Sequence, residues 1–387
     1  MRIALVSDTY TPQVNGVTTV VDRIARALPA AGHAAAVVAP AYPGPPPEPR
    51  GDELRIPSLP FPPYPSIRLS LPFARRVDDF LDRFDPDLVH VHTEGPLGTM
   101  GRRWTLRHNR PLVTTFHTHF PQYTRDYGVP RLEPLVWRWL TWFHGAARVT
   151  HTPGDSVRRE LVAKGLTQAR VWGRGVDTRA FHPAKRENGW RDRFRAGSDD
   201  VIVLHVGRLA PEKNLDVLIE SWRLGHRVLG PRVVWAIAGR GPLERRLAAE
   251  LPWVRRAGFL DREDLAALYA SADLCMLPSR TETCGLVALE AMASGLPVVA
   301  ADAGGLAESV EHEISGLLVP PDDAHGFLSA VARLVTDRDT RRAFSLAARA
   351  RAETRDQAPE DEDLLAEYAA LIPSDRTLHS GAAPCAA

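Results

Sequence analysis

Short apolar runs alternate along this chain with stretches in which apolar residues recur every three or four positions. Residues 2–7 (RIALVS) and 34–39 (AAAVVA) read as buried strands. Between them Val20, Val21, Ile24 and Leu28 carry the spacing of one helix face. Strands at 88–92, 112–116 and 147–152 continue the series, with helices expected over 74–84, 134–143 and 156–164. A second series opens at residues 201–206, a nearly unbroken apolar run of the kind a parallel sheet buries on both faces. Strands at 233–238, 274–277 and 316–320 follow it. Helices are expected from about 215 and over 243–251, 265–272, 306–310, 324–335, 341–352 and 364–371. A strand–helix alternation run through twice predicts two doubly wound α/β domains. The Pro-rich segment 41–72 breaks the pattern and reads as irregular, with one strand near 54–56.

Composition narrows the function classes. A length of 387 residues suits two domains of ordinary size. A formal net charge of +1 gives no global pull toward nucleic acid. Three cysteines without C-x-x-C spacing form neither a disulfide framework nor a zinc motif, which fits a reduced, cytoplasmic setting. The N-terminal MRIALVSD is too short an apolar run for a signal peptide and reads as a first strand. The D-x-D of Asp85-Pro86-Asp87 has proline at its centre and a strand immediately after it, so it reads as a turn, and no metal is expected.

The chemistry concentrates in residues 277–305, LPSRTETCGLVALEAMASGLPVVAADAGG. Here a strand end leads through a polar loop to a helix expected from near Thr283, which stops at Gly295-Leu296-Pro297. Glu282 stands just before that helix and Glu290 two turns inside it. The amides of Cys284, Gly285, Leu286 and Val287 would lack intrahelical acceptors and suit an anionic oxygen. Acids beside an anion site make sense where a diphosphate carries sugars rich in hydroxyls. Upstream, Gly207-Arg208 with Lys213 supplies two cations after a predicted strand, a guanidinium fork and a compact ammonium.

The segment from Glu282 to Glu290 resembles the E-x7-E signature of retaining glycosyltransferases with two facing Rossmann-like domains and an interdomain cleft, the GT-B group that includes bacterial α-mannosyl- and α-glucosyltransferases. G-R-x-x-x-x-K at 207–213, P-Q-x-N-G-V at 12–17 and G-V-D-x-x-x-F-x-P at 175–183 resemble further motifs of this group. Cys284 departs from it, standing where relatives usually carry Phe. The resemblance implies that Arg208 and Lys213 bind the diphosphate, aided by the backbone of Gly285, Leu286 and Val287. It further implies that Glu290 binds ribose, that Glu282 and His117 contact the hexose, and that Gly16 lies in the loop closing over the donor. The base would pack near Gly241, Phe259 and Leu260. Acceptor contacts are expected from Tyr10, Gln13, Tyr123 and Asp126, the last two in a polar loop after His117.

The domain reading that goes with it is an acceptor-side domain over 1–183 and a nucleotide-sugar domain over 184–354. A helix over 355–372 would fold back on the first domain, and a disordered tail would occupy 373–387. The implied function is transfer of a hexose, foremost mannose from GDP-mannose, to a lipid or glycan hydroxyl, with no cofactor. UDP-sugar-dependent transfer of glucose or sulfoquinovose to diacylglycerol, a nucleotide-sugar epimerase and a non-catalytic binding module are the alternatives. Trp137, Trp139 and Trp142, with Arg131 and Arg138 nearby, would allow peripheral contact with the inner face of the membrane. The plainer reading of the same stretch is a helix that buries its aromatic side.

Overall fold

The computed structural model describes residues 1–13, 15–44, 51–61, 64–172 and 175–373; the expected tail lies outside them apart from Pro373. The chain divides into two compact units. The first consists of Met1–Pro121, Leu132–Trp172 and the residues from Pro359 onward; the second consists of Gln122–Arg131 and Gly173–Ala358. The second stretch of the first unit stops at Trp172, eleven residues ahead of the expected boundary at 183. Val176 and Phe181 are buried in the core of the second.

In the first unit, β1 (Arg2–Val6), β2 (Ala34–Pro40), β3 (Asp52–Ile56), β6 (Leu88–Val91), β7 (Leu112–Thr115), β8 (Val149–Thr152) and β9 (Ala169–Val171) form a parallel sheet in the order β3-β2-β1-β6-β7-β8-β9. The strand order reverses between β1 and β6, which is where open α/β sheets bind ligands beyond their carboxyl ends. Each sheet face buries its own core. Ile3, Leu5, Ile24 and Leu28 meet Leu364 and Tyr368 on one side, while Val6, Val38, Leu81 and Trp104 pack on the other. The last helix, Gln357–Leu371, thus completes the first core, although it follows the second unit in sequence.

The segment expected to be irregular contains a hairpin, β4 (Ser58–Phe61) with β5 (Tyr64–Ser70). Its prolines are tolerated because this two-stranded sheet has no further strand on either side, so a missing N–H breaks no central ladder. Asp85 closes the helix Ala74–Phe84 in the left-handed region, and Asp87 accepts from the Arg2 amide at 2.8 Å. Both aspartates of the D-x-D are thereby placed in a structural turn.

The second unit is a parallel sheet of β10 (Val201–Val206), β11 (Val233–Ala238), β12 (Arg255–Gly258), β13 (Leu274–Leu277), β14 (Val298–Ala301) and β15 (Gly316–Val319), in the order β12-β11-β10-β13-β14-β15. Here the reversal lies between β10 and β13. The loops leaving those strands are the cation-bearing and acid-bearing stretches of the sequence. β10 and β13 are buried along their whole length, as their apolar runs require.

Removing a side chain from the shared first core tests the docking of the terminal helix. Leu364→Ala is expected to lower unfolding stability by about 3 kcal/mol, measured by urea denaturation. A loss under about 1 kcal/mol would mean the helix is not part of that core.

Candidate functional site

β10 delivers Gly207 and Arg208 to the end of the sheet, and a short 3₁₀ turn at Pro211–Lys213 then presents Lys213. Glu212, between the two cations, is almost fully buried. Its carboxylate pairs with Arg208 through one oxygen and accepts from the Tyr127 hydroxyl at 3.1 Å through the other. Desolvation, reinforced by this carboxylate, raises the Tyr127 phenol to about 12. Asn214 follows in the left-handed region, a conformation asparagine tolerates better than most residues. Its side-chain amide donates to the carbonyls of Pro278 and Pro321 at 3.1 and 2.7 Å. The Glu212 carbonyl in turn accepts from Ser279 and Thr281 at 3.2 and 3.0 Å. Side chains thus stitch the cation loop to the acid loop, and Lys213 meets Glu282 directly in an ion pair.

The helix of the acid segment is Leu286–Ala293, three residues later than its expected start. Gly285 is the cause. At φ +69° it is left-handed and cannot continue a helix backwards. A Cβ there would lie 2.9 Å from the Gly305 carbonyl oxygen, and the Gly305 amide donates to the Glu282 carbonyl at 2.6 Å. Residues 282–285 are therefore a turn clasped by the Gly304-Gly305 backbone. The helix end lies at Leu286 and Val287, the first two residues whose amides point off it. Cys284 is buried in this clasp.

Glu290 lies one turn into the helix, half-buried, with its carboxyl deep enough that desolvation lifts it to about 7. Arg262 opposes that shift, and so does the Tyr269 hydroxyl, which donates to Glu290 at 3.4 Å. The nearby Glu282 charge reinforces it, which places both acids in one electrostatic neighbourhood. Near the end of β10, burial drives His205 down to about 4, with Lys213 adding to the effect and Glu282 opposing it. His205 is therefore neutral beside the ion pair. Gly241 brings its backbone against that of Leu209: a Cβ there would fall 2.3 Å from the Leu209 carbonyl oxygen. Phe259 is 56 % exposed and Leu260 is half-buried against the core. Arg208, Lys213, Glu282 and Glu290 are thus brought together within the second unit, at the reversal in its strand order.

In the first unit His117 follows β7 and is buried, with its Nε2 3.0 Å from His92 Nδ1. His119 pairs with Glu160 at 2.7 Å. Gly16 is the first residue of the helix Gly16–Ala30, which therefore begins earlier than the apolar spacing suggests, and Asn15 caps it by accepting from the Thr18 amide at 2.9 Å. Of the expected acceptor residues, Tyr10 is fully buried in the first core, with the Arg55 guanidinium 4.9 Å over its ring. Gln13 accepts from Thr9 and Tyr42, both at 2.9 Å, which fixes the loop after β1. Tyr123 and Asp126 lie on a helix, Phe120–Asp126, where a polar loop was expected.

Two family matches divide the chain. Residues 14–180 match Glycosyltransferase Family 4, and residues 187–351 match Glycosyl transferases group 1. A GDP-mannose-dependent alpha-mannosyltransferase of Mycobacterium tuberculosis is 34% identical over 379 residues, covering 96% of this chain and 97% of that protein. The chain belongs to the family 4 glycosyltransferases. This glycosyltransferase is also 34% identical, over 77% of its length, to the Arabidopsis thaliana sulfoquinovosyl transferase SQD2, of which it covers 59%. Its fold is the two-unit GT-B architecture. Sucrose-phosphate synthase from Thermosynechococcus elongatus shares that fold with a TM-score of 0.80 at 22% identity, covering 98% of this chain and 100% of that one.

Several residues that shape the glycosyltransferase's site escaped the sequence reading. Glu212 has i,i+4 spacing to Arg208, a readable signal for an ion pair. Asn214, just before a predicted helix, was readable as a turn residue. Arg262 and Tyr269 reach Glu290 from a separate helix, Arg262–Ser271, and nothing local in sequence announces them.

The raised Glu290 gives a signed pH prediction. The native protein keeps its proton above the ordinary value of 4.5, where the unfolded chain has lost it. This contribution to stability is full below 4.5 and is lost as pH rises through about 7. Thermal denaturation across that window should show the wild type losing ground relative to Glu290→Gln. Parallel curves for the two proteins would contradict the assignment.

Proposed function

We propose that this enzyme transfers mannose from GDP-mannose, with retention at the anomeric carbon, to a hydroxyl of a lipid or glycan acceptor. The carrying observation is the cross-linked loop pair at the strand-order reversal, where two cations and two acids share one neighbourhood. A nucleoside diphosphate needs positive charge at its pyrophosphate, and its sugars need carboxylate acceptors. Similarity to mannosyltransferases named for GDP-mannose, one at 34% identity and 97% coverage of that relative, favours this donor.

Arg208 and Lys213 hold the diphosphate, the first as a fork and the second as a point charge. The Leu286 and Val287 amides add uncharged donors from the helix end. Glu290 takes the ribose hydroxyls. Glu282 takes hexose hydroxyls, and the family resemblance assigns His117 to the donor sugar. A phosphate arriving at Lys213 competes with Glu282 for the ammonium, freeing carboxylate lone pairs for the hexose. As the glycosidic bond breaks, charge accumulates on the leaving diphosphate. Cations already in place stabilise that charge without reorganisation, and the leaving phosphate oxygen assists deprotonation of the acceptor hydroxyl.

The acceptor class connects to the helix Glu133–His144. It buries Trp137, Leu140 and Phe143 but leaves Leu135, Trp139 and Trp142 58, 41 and 46 % exposed. The Arg102 guanidinium lies 4.0 Å over the Trp142 ring, and Arg138 is exposed on the same helix. Indole rings beside arginines suit an anionic lipid surface. Among the described residues no helix is long and apolar enough to cross a membrane.

Lys213→Ala and Glu282→Ala are each expected to cut transfer by about a hundredfold or more while the protein stays folded by circular dichroism. Near-normal rates would remove both residues from the reaction. In a thermal-shift panel of GDP-mannose, UDP-glucose, UDP-N-acetylglucosamine and UDP-sulfoquinovose, GDP-mannose should raise Tm most. A larger shift with a uridine donor would transfer the assignment to that sugar. Cosedimentation with phosphatidylglycerol vesicles should weaken in a Trp139→Ala/Trp142→Ala variant, whereas unchanged binding would dismiss the lipid contact.

A further inference from the structure

A second histidine holds His117 from behind. β6 leads into His92 and β7 into His117, and the parallel register that pairs Val91 with Thr114 sets the two imidazoles side by side. Both are buried, and His92 Nδ1 lies 3.0 Å from His117 Nε2. A contact of that length between ring nitrogens is a hydrogen bond carrying one proton. If His92 donates, His117 Nδ1 bears the other proton and His117 is a donor toward a ligand. If His117 donates, its Nδ1 is an acceptor.

His92 is itself held in place. Its ring lies 3.9 Å from that of His90, tilted by 34°. His90 is bonded at both nitrogens, Nδ1 to the Tyr368 hydroxyl at 2.5 Å and Nε2 to the Thr115 hydroxyl at 2.7 Å. Burial, with the neighbouring histidines, holds His90 well below its ordinary value, so it stays neutral. His151 stands edge-on at 5.5 Å from His90 and is tied to Glu367 at 2.5 Å. Tyr368 and Glu367 belong to the terminal helix, so that helix braces the row of rings ending at His117.

We propose that His92 is a positioning residue for sugar transfer: its hydrogen bond fixes the tautomer and ring plane of His117 and thereby sets whether His117 offers the hexose a proton or a lone pair. The proposal rests on the reading of His117 as a residue that contacts the donor sugar. Were His92 only a space-filling side chain, its replacement by Phe would leave the His117 tautomer unchanged, and the two roles separate in experiment.

Long-range proton–nitrogen NMR of the full-length protein should show His117 as one tautomer in the wild type and as a mixture in His92→Phe. In the same variant kcat for GDP-mannose turnover should fall about tenfold or more while KM stays within about twofold. His92→Asn, whose amide still offers a hydrogen bond, should recover most of the loss. A tautomer mixture in the wild type overturns the proposal, and that measurement stands even if the Phe variant does not fold. Equal impairment of the Asn and Phe variants also overturns it. His117→Ala separates the two levels of the argument. A slow His117→Ala enzyme beside a full-rate His92→Phe enzyme overturns the role of His92 and leaves that of His117 standing. A full-rate His117→Ala enzyme removes both.

Discussion

Opposite charges kept close together without cancelling are the constraint on which the second unit is built. Lys213 and Glu282 attract each other, and left on free loops they would collapse into a solvated surface pair worth little. Here their loops are tied first by groups with no net charge. The Asn214 side chain spans to Pro278 and Pro321, and the Glu212 carbonyl collects the hydroxyls of Ser279 and Thr281. The ion pair therefore forms on a frame it does not have to create. Charged ligands can then exchange for its partners with little rearrangement of the backbone, which is what preorganisation means for a site that must stabilise developing charge.

That frame stands where sheet topology favours a site. In each unit the strand order reverses once, between β1 and β6 in the first and between β10 and β13 in the second. Loops leaving adjacent strands in opposite directions open a crevice at the carboxyl ends. In the second unit the two loops carry the four charged residues. In the first, His92 directly follows β6 and His117 lies just beyond the neighbouring β7. Buried imidazoles suit hydroxyl recognition, and paired charges suit phosphate stabilisation.

Much of this was legible in residue order, because nearly unbroken apolar runs such as 201–206 and 233–238 mark buried parallel strands. The charged residues of the second unit were legible as well, since they flank those runs at short spacing. The rest failed for local physical reasons. The helix expected from Thr283 starts at Leu286 because tertiary contact with Gly305 selects a left-handed Gly285, which no propensity shows. The hairpin Ser58–Ser70 was obscured by prolines that an isolated two-stranded ribbon accommodates. Tyr10 has the composition of a binding residue, a ring with a hydroxyl, but its burial depends on Arg55 and Asp22, distant in sequence. The row His90, His92, His151 could not be assembled from sequence, because only strand register makes neighbours of residues tens of positions apart.

The most direct test of the account is a crystal structure of the protein with GDP-mannose bound. The account predicts the pyrophosphate within hydrogen-bonding distance of Arg208 and Lys213, with the ribose on Glu290 and the hexose on Glu282. A nucleotide bound elsewhere, or one whose phosphates leave Arg208 and Lys213 untouched, would contradict it.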